Sequence, residues 1–504
     1  MFSSNPSKTA ATAFALSLPF LAACGGGGGS GAAPPAIVSD SGLLSPKAAA
    51  PSSAPAGVAS ASPTLSASAA PASAAPSATP RVTAAPTAPP VTGPSAAPPT
   101  APGSSAPTAP GGNPAPAAVT AAPADSFVDA IGVDSHFNYG GTSYTGNFQA
   151  ISSALIASGI RHLRDGEPGD NYAPSLAYLG AHGIKHSVFF PVTTNAAQIV
   201  ATLELYAPFV DFIEPQNEYD LSGDPNWASA LRAEQPVLDG TVQSNPAFGG
   251  INVLGPSFGR PYDAAAVGPL DGFEDGGNLH DYTCNLNPGT TSSIGIAATT
   301  AQIRAATATK PIWTTEVGYE DDLSVSACAL SDAAIAKYTP RTIADRWLAG
   351  EPRTYLYQFA DMAPATGYSA MGLVTQAGVP KPQFTALQSM ISLLSDPGSG
   401  FATAPLAYTL GGNTQNVQQL LLQKRNGDYF LLLWLEVPSW NPQSQSPLGV
   451  AQQTVTLTFG SAITTATAYT YGSDWSLHGT GLPAPARQLS VSVGDSITFV
   501  KLHP

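Results

Sequence analysis

The segment Phe212–Glu218 reads FIEPQNE, a short apolar run that ends in polar and acidic residues. A second segment of this kind, Pro311–Glu316, reads PIWTTE. Both runs have the length of a buried β-strand, and each glutamate stands where its strand is expected to end. If the two strands belong to one parallel sheet, their carboxyl ends lie at the same edge, and the fold decides how close Glu218 and Glu316 come.

Eight such runs alternate with helix-like stretches between residues 125 and 398. Stretches 148–158, 196–205 and 333–348 carry apolar residues at helical spacing, and Gly159 and Gly183 stand where helices are expected to end. This rhythm predicts a (β/α)8 barrel, because the first run lacks the glycine-rich phosphate loop of a doubly wound sheet. The predicted strands are Ala130–Val133, His162–Arg164, Ser187–Phe190, Val210–Ile213, Asn252–Gly255, Asn278–His280, Pro311–Thr314 and Thr354–Tyr357.

The pattern changes to short strands and turns in residues 399–504. Gln419–Gln423 and Tyr429–Leu435 flank Asn426-Gly427, a strong hairpin marker, and residues 454–458 alternate with period two. We therefore expect a C-terminal antiparallel β-sandwich domain.

The first residues have features of targeting and of a spacer. Lys8 precedes a short apolar run, and Leu21–Cys24 reads LAAC before a run of glycines. These four residues resemble the lipobox of bacterial lipoproteins, which implies a signal peptide over 1–23 and a lipidated Cys24; an ordinary secretory signal with a chance cysteine is the alternative. Residues 24–124, rich in Ala, Pro, Ser and Gly, are expected to be a disordered linker. The protein is thus expected to be exported and lipid-anchored to the cell envelope, at the outer membrane or the cell surface.

Charge and cysteine content exclude several classes. The formal net charge is −14 without a Lys/Arg cluster, which argues against nucleic acid as a partner. Of the three cysteines, Cys284 and Cys328 remain as a possible disulfide pair in an exported protein, or as two unpaired thiols. We expect no zinc or other metal site, because no second cysteine lies near either one.

Barrel geometry makes the two glutamates a candidate site. Catalytic groups of such barrels lie at the carboxyl ends of strands, where Asn217 and Glu218 end strand four and Glu316 ends strand seven. Retaining cleavage of a glycosidic bond needs two carboxyl groups about 5–5.5 Å apart, one ionised and one protonated. Arg164, after strand two, would lower the pKa of one, and an enclosed setting would raise that of the other.

The ends of strands four and seven resemble clan A of the retaining glycoside hydrolases, and the C-terminal domain is similar to several of its families, family 39 among them. The resemblance covers roughly Ala130 to the C-terminus and is specific for the clan rather than a family. It implies that Glu218 is the general acid/base, Glu316 the nucleophile, and Asn217 the partner of the substrate 2-hydroxyl.

The resemblance extends to three supporting residues. His280 and Tyr282 match the clan's His-x-Tyr, whose tyrosine hydrogen-bonds the nucleophile, and Arg164 matches the arginine that keeps it ionised. The chain departs from the pattern at strand eight, where Tyr357 stands in place of the tryptophan that many members use as a sugar platform.

Each residue also has a structural reading. Glu218 could interact with a helix N-terminus, Glu316 could be a surface acid beside Glu320, and Glu214, on the same strand as Glu218, is a rival for either role. Arg164 could be a purely structural ion-pair partner of Asp165 or Glu167, and His280 and Tyr282 could be packing residues. Five side chains could either bind sugar or be structural: Asp134, His136 and Asp165 near the first strand ends, and Trp227 and Tyr319 on loops above the site. Trp313, at odd spacing from Glu316, is expected on the opposite face, between barrel and helices.

Together these features favour a retaining glycoside hydrolase acting on an extracellular polysaccharide or oligosaccharide. A transglycosidase and a catalytically inactive carbohydrate-binding lipoprotein are the alternatives; a serine hydrolase is disfavoured because the chain has no Gly-x-Ser-x-Gly elbow. We expect no cofactor, a monomer, and membrane attachment only through the lipid on Cys24.

Overall fold

The computed structural model describes residues 116–166, 172–289 and 295–504. The predicted signal peptide, Cys24 and residues 24–115 of the predicted linker lie outside these ranges. Within them the chain folds as a (β/α)8 barrel followed by antiparallel sheets, as the alternating apolar runs predict.

Eight parallel strands of the described residues, numbered one to eight, form the barrel wall in the order five, four, three, two, one, eight, seven, six. Strands five and six close the ring, because Leu254 bridges Gly276 and Gly255 N donates to Gly276 O at 2.8 Å. Every run predicted from the sequence overlaps one of these strands. The strands are Ile131–Asp134, His162–Gly166, Lys185–Phe189, Val210–Glu214, Asn252–Val253, Gly277–His280, Ile312–Val317 and Thr354–Leu356.

Helices cover the outside of the barrel. The three predicted helices are confirmed within one residue at each end, and Gly159 ends the first of them with φ 78°, a left-handed conformation that glycine adopts without strain. The α-helices are Ala124–Asp129, Ser143–Gly146, Phe148–Ser158, Ala173–Ala181, Ala196–Tyr206, Trp227–Gln243, Ala264–Val267, Ile296–Ile303, Asp332–Leu348 and Pro382–Leu394. Short 3-10 turns lie at Ala207–Phe209, Tyr219–Leu221, Pro246–Phe248, Pro261–Asp263 and Gly367–Ala370.

Two sheets, antiparallel except for the short parallel edge strand Ala122–Pro123, form the sandwich and share an apolar core. The hairpin marker is confirmed, because Gln423 pairs with Tyr429 across a loop in which Gly427 has φ 88°. The first sheet contains Ala117–Thr120, Pro405–Gly412, Gln453–Ile463 and Ala486–Val493; the second contains Leu477–Gly481, Thr465–Tyr471, Thr498–His503, Tyr429–Leu435, Val417–Gln423 and Ala122–Pro123; a small hairpin pairs Trp440–Asn441 with Ser446–Pro447.

The end of the predicted linker differs from expectation. Ala117–Thr120 pairs antiparallel with Pro405–Gly412 at the edge of the first sheet, and Ala122–Pro123 pairs with Val417–Gln423 at the edge of the second. Edge strands need only backbone donors and acceptors, so a composition without large apolar residues does not prevent pairing. The sandwich is therefore built from segments on both sides of the barrel in the chain.

The barrel and the second sheet share one continuous core. All residues of Tyr429–Leu435 are buried, because one face of this strand packs in the sandwich and the other packs against barrel helices. Trp434 lies in the same cluster as Phe127 and Leu387, which belong to the first and last barrel helices. The strand is apolar throughout because it is covered on both faces.

Candidate active site

Glu218 lies at the mouth of the barrel, just beyond strand four. It is 4% exposed and has φ 45° and ψ 44°, a left-handed conformation that is rare outside glycine and typical of functional positions. Its backbone N–H donates to Ser257 Oγ at 3.2 Å, and its Oε1 lies 2.8 Å from His280 Nδ1. The side chain makes no capping bond to the short turn Tyr219–Leu221, so the helix-terminus alternative is not what the structure has.

Glu316 lies opposite, on strand seven, and is 2% exposed. Its Oε1 accepts from Arg164 Nη1 at 2.8 Å, and its Oε2 accepts from the Tyr282 hydroxyl at 2.5 Å. His280 Nδ1 is 3.6 Å from the same Oε2. The surface-acid alternative is therefore wrong, because the carboxylate is buried between an arginine and a tyrosine.

A β-bulge turns Glu316 into the site. Leu279 of strand six pairs with Thr314 but the next residue, His280, pairs with Glu316, so Thr315 is an extra residue. One extra residue changes which side chains share a face. Trp313 accordingly points into the barrel, where its ring contacts Phe212 of strand four at 5.1 Å. The expectation that Trp313 lies between barrel and helices is wrong for this reason.

The two carboxyl groups are close enough to act on one bond. Carboxylate oxygens of Glu218 and Glu316, together with a ring nitrogen of His280, all lie within 4.8 Å of one another. One oxygen of each carboxylate therefore lies closer to the other than the roughly 6.5–9.5 Å of inverting enzymes, on the side of the roughly 5–5.5 Å of retaining ones. The same three side chains could offer one ligand atom each to a cation, but the guanidinium of Arg164 already lies against Glu316.

Arg164 connects the acidic groups of the barrel interior. Its Nη1 donates to Asp134 Oδ1 at 3.1 Å as well as to Glu316, and its Nη2 donates to Asn217 Oδ1 at 2.7 Å. Its Nε donates to Glu214, which also accepts from Asn278. Arg164 is paired with these groups and not with Asp165, while Glu167 lies outside the described residues.

Glu214 is thus a support for Arg164 and not a rival of Glu218. It has no exposed surface, and both of its oxygens are occupied by Arg164 and Asn278. Sequence reasoning missed Asn278, although its even spacing from His280 on strand six places both side chains on one face.

Burial and charge act differently on the two glutamates. Burial, followed by the nearby charge of Glu316, holds the pKa of Glu218 well above its ordinary value. Burial also raises the pKa of Glu316, but the Arg164 charge and the Tyr282 hydrogen bond oppose this. Burial and Arg164 keep the pKa of His280 well below its ordinary value, so this imidazole is neutral. Glu316 is therefore the first of the pair to ionise.

Aromatic side chains border the pair on the side of strands one and eight. The Tyr357 hydroxyl is 3.0 Å from His136 Nε2, and its ring lies 6.1 Å from that of Tyr282. Tyr139, which sequence reasoning did not select, stacks on His136 at 5.0 Å and is 47% exposed. Burial lowers the pKa of His136 to about 3, so its imidazole is neutral beside the tyrosine rings.

Asp165 supports the loop after strand one. Its carboxylate accepts from Ser135 Oγ at 2.6 Å, from Phe137 N at 2.8 Å and from Gly166 N at 2.8 Å. Of its two possible roles, the structure has the structural one, since the carboxylate is engaged by this loop. Asp134 differs, because its Oδ2 is buried without a hydrogen-bond partner.

The two predicted sugar platforms, Tyr319 and Trp227, differ in their surroundings. Tyr319 is 5% exposed and packs with Tyr338 and Trp440, where a sandwich hairpin covers the barrel. Trp227 is the first residue of the helix Trp227–Gln243 and packs against Phe258, with ring centroids 6.4 Å apart. The expectation of an open loop position is wrong for Tyr319, whose ring neighbouring elements cover. Trp227 begins a helix and is half-buried, and its contact with a sugar stays a prediction.

Two loops above the site are joined covalently. A disulfide bond links Cys284, after strand six, to Cys328, after strand seven. Asn285 Nδ2 donates to Ala327 O at 2.6 Å beside it. The loop that carries Tyr282 is therefore tied to the loop that follows Glu316.

Comparison with known proteins identifies the fold. No family model and no curated protein matches the chain. The structure is similar to a family 39 glycoside hydrolase from the gut symbiont Bacteroides cellulosilyticus WH2, at 15% identity over 75% of this chain and 82% of that chain, with a TM-score of 0.52. It is also similar to a GH51 arabinofuranosidase from Xanthomonas axonopodis pv. citri, at 12% identity over 77% and 98% of the two chains, with a TM-score of 0.50. At these identities the likeness shows a fold shared with glycoside hydrolases, the barrel with antiparallel sheets that the sequence predicts.

Proposed function

We propose that the protein is a retaining glycoside hydrolase that cleaves a polysaccharide or oligosaccharide outside the cytoplasm. The observation that supports this most is the approach of Glu218 and Glu316 to within 4.8 Å. Their surroundings differ in the sense that a double displacement needs, because Arg164 and Tyr282 donate hydrogen bonds to Glu316, whereas Glu218 receives none from either.

The proposed reaction has two steps. The Glu316 carboxylate attacks the anomeric carbon while the bond to the leaving oxygen breaks, and the proton of Glu218 passes to that oxygen. Glu218, now ionised, removes a proton from water as the water oxygen attacks the anomeric carbon and releases Glu316. The neutral His280, 2.8 Å from Glu218 Oε1, adds no charge that would draw the proton from Glu218.

Asn217 is proposed to bind the substrate 2-hydroxyl. Its Oδ1 accepts from Arg164 Nη2 at 2.7 Å, which fixes the amide so that its NH₂ group is available to a ligand. A hydrogen bond at this position strengthens as positive charge develops on the sugar ring. The rings of Tyr139, Tyr282 and Tyr357 are proposed to border the sugar.

Covalent trapping tests the proposal. A panel of 2-deoxy-2-fluoro glycosides with good leaving groups is incubated with the protein, and the labelled peptide is identified by mass spectrometry. We expect a single label on Glu316 and none in Glu316→Gln, whereas Asp495→Asn, far from the pair in the barrel–sandwich contact, labels at the rate of the unchanged protein. Labelling of another residue would contradict the assignment, and no turnover on any glycan would favour the carbohydrate-binding alternative.

Product analysis separates hydrolysis from transglycosylation. The first-formed product of a retaining hydrolase has the anomeric configuration of the substrate, which proton NMR detects before mutarotation. Longer oligosaccharides at high acceptor concentration would show that a sugar hydroxyl replaces water.

Attachment to the cell envelope through Cys24 is proposed from the LAAC motif alone. No helix among the described residues has the length and apolar character needed to cross a lipid bilayer. Incorporation of labelled palmitate into the full chain, and its loss in Cys24→Ser, is the expected result; equal incorporation in both would contradict it.

A further inference from the structure

The loop 281–289 carries Tyr282, and neither a long helix nor a strand holds this loop in place. Its first residue is anchored to the helices outside the barrel, where Asp281 Oδ2 accepts from Arg346 Nη2 at 2.6 Å and from Thr299 Oγ1 at 2.9 Å. The disulfide at Cys284 anchors its middle. The backbone adds one bond to strand seven, from Asp281 N to Glu316 O at 3.0 Å, and one turn bond, from Leu286 N to Thr283 O at 3.2 Å. Beyond residue 281 the loop has no ladder with a neighbouring strand, so its side-chain anchors contribute to where Tyr282 lies.

The far end of the loop is held by the sandwich. Glu436, directly after the strand Tyr429–Leu435, accepts from Asn287 Nδ2 at 2.6 Å and from Gly289 N at 3.1 Å through one oxygen. A Cβ on Gly289 would lie 3.0 Å from that oxygen, so a glycine at this position permits the close approach. The second oxygen accepts from Trp434 Nε1 at 3.0 Å.

Charged groups keep Glu436 in this position. Arg341, fully buried on the helix Asp332–Leu348, lies 2.8 Å from the Glu436 carboxylate, and Asp345 of the same helix also faces it. Burial acts to raise the pKa of Glu436, but Arg341 and Asn287 outweigh it and leave the pKa below its ordinary value. A charged acceptor makes stronger hydrogen bonds than a neutral one.

The partner loop is held by the sandwich as well. Gln445 Nε2 donates to Ser326 O at 3.1 Å, and Trp440 packs against Tyr319. Both disulfide-linked loops are therefore held in place by the C-terminal domain.

We infer that Glu436 and Asn287 are positioning residues for Tyr282, and that the sandwich thereby controls the hydrogen bond that Tyr282 donates to Glu316. This inference rests on the proposed function, in which Glu316 must be ionised to attack. It assigns the C-terminal domain a part in catalysis without contact with the substrate.

The test measures kcat/KM as a function of pH. The fall of kcat/KM on the acidic side of this profile, its acidic limb, reports the ionisation of Glu316 in the free enzyme. Tyr282→Phe removes the hydrogen bond, so the limb moves to higher pH by about one unit. Asn287→Ala is expected to move it in the same direction by up to that amount. The other groups near Glu316, namely Arg164, Asp134, Glu214, Glu218 and His280, are unchanged in these variants.

Asn287→Ala is preferred to a change at Glu436, because Glu436→Gln leaves the buried Arg341 without its anion and endangers folding. The matched control is Asp495→Asn, which breaks the 2.8 Å ion pair between Lys337 of the barrel and Asp495 of the sandwich but does not touch the loop. Its acidic limb is expected to coincide with that of the unchanged protein.

The double variant decides whether Asn287 acts through Tyr282. If it does, Tyr282→Phe with Asn287→Ala has the same acidic limb as Tyr282→Phe alone. An unmoved limb in Asn287→Ala, or a full additional shift in the double variant, would overturn the inference. If the unchanged protein cleaves no glycoside, the proposed function fails instead, and carbon-13 NMR titration of Glu316 in the same variants still supports or overturns the inference.

Discussion

The activity of Glu218→Ala on substrates with different leaving groups distinguishes a role of Glu218 as general acid from a structural role. Its carboxyl group has one oxygen near His280 and one buried oxygen without a partner, and burial with the Glu316 charge raises its pKa. The group is therefore protonated where Glu316 is already ionised. Loss of a positioned general acid slows a reaction about 10²- to 10⁴-fold, or about 3–5 kcal/mol of activation free energy.

The size of the effect must depend on the leaving group. A 2,4-dinitrophenolate needs no proton to leave, so Glu218→Ala is expected to form the glycosyl-enzyme at nearly the normal rate and then to accumulate it. A sugar or alkoxide leaving group needs the proton, so its cleavage should fall by the full factor. The assay compares the pre-steady-state burst of 2,4-dinitrophenolate with the rate at which a glycoside with a sugar leaving group is cleaved.

Azide supplies the matched control. In Glu218→Ala the vacated space admits azide, which needs no base and should restore turnover to give a glycosyl azide of retained configuration. Glu218→Gln keeps the side-chain volume and should respond less. Equal losses with both leaving groups, or no azide product, would refute the assignment of Glu218 as acid/base.

Three further outcomes follow from the same contacts. The pH profile of kcat/KM should be bell-shaped, because activity falls with decreasing pH as Glu316 takes up a proton and falls with increasing pH as Glu218 loses its proton. The fall at high pH should therefore vanish in Glu218→Gln. Arg164→Met should lower the free energy of unfolding by about 3–5 kcal/mol in urea titrations, because it leaves buried carboxylates without their cation; an unchanged midpoint would contradict this. Burial raises the pKa of Glu234 to about 8, against a smaller opposing effect of the Gln216 backbone, so its contribution to stability is present below the ordinary pKa and is lost as pH rises towards 8. Glu234→Gln should remove that decline in urea titrations at several pH values, and parallel curves for the two proteins would count against it.

Several features of the site were predictable because they depend on local pattern. The eight apolar runs report which residues are buried, and a glutamate directly after such a run marks the carboxyl end of a strand. The left-handed glycines after the helices are local as well. The resemblance implied that Arg164 keeps Glu316 ionised, whereas the contact of Arg164 with Asn217 was not predicted, since nothing in their spacing links residues so distant in the chain.

Other features could not be read from periodicity. Trp313 lies inside the barrel because Thr315 is an extra residue opposite strand six, and a single extra residue reverses the expected faces. Tyr319 is covered by Trp440, which is distant in sequence. Ala117–Thr120 forms a strand although its composition is that of the linker, because a neighbouring edge supplies the hydrogen bonds.

The sequence by itself determined the barrel, the sandwich and the two glutamates at strand ends, because burial imposes a period on residues that are neighbours in the chain. Only the tertiary structure decided that Glu218 and Glu316 approach within 4.8 Å, that Arg164 connects Glu316 with Asp134 and Glu214, and that Glu436 of the sandwich holds the loop of Tyr282. Those contacts join residues far apart in the chain, and closure of the barrel and docking of the sandwich bring them together.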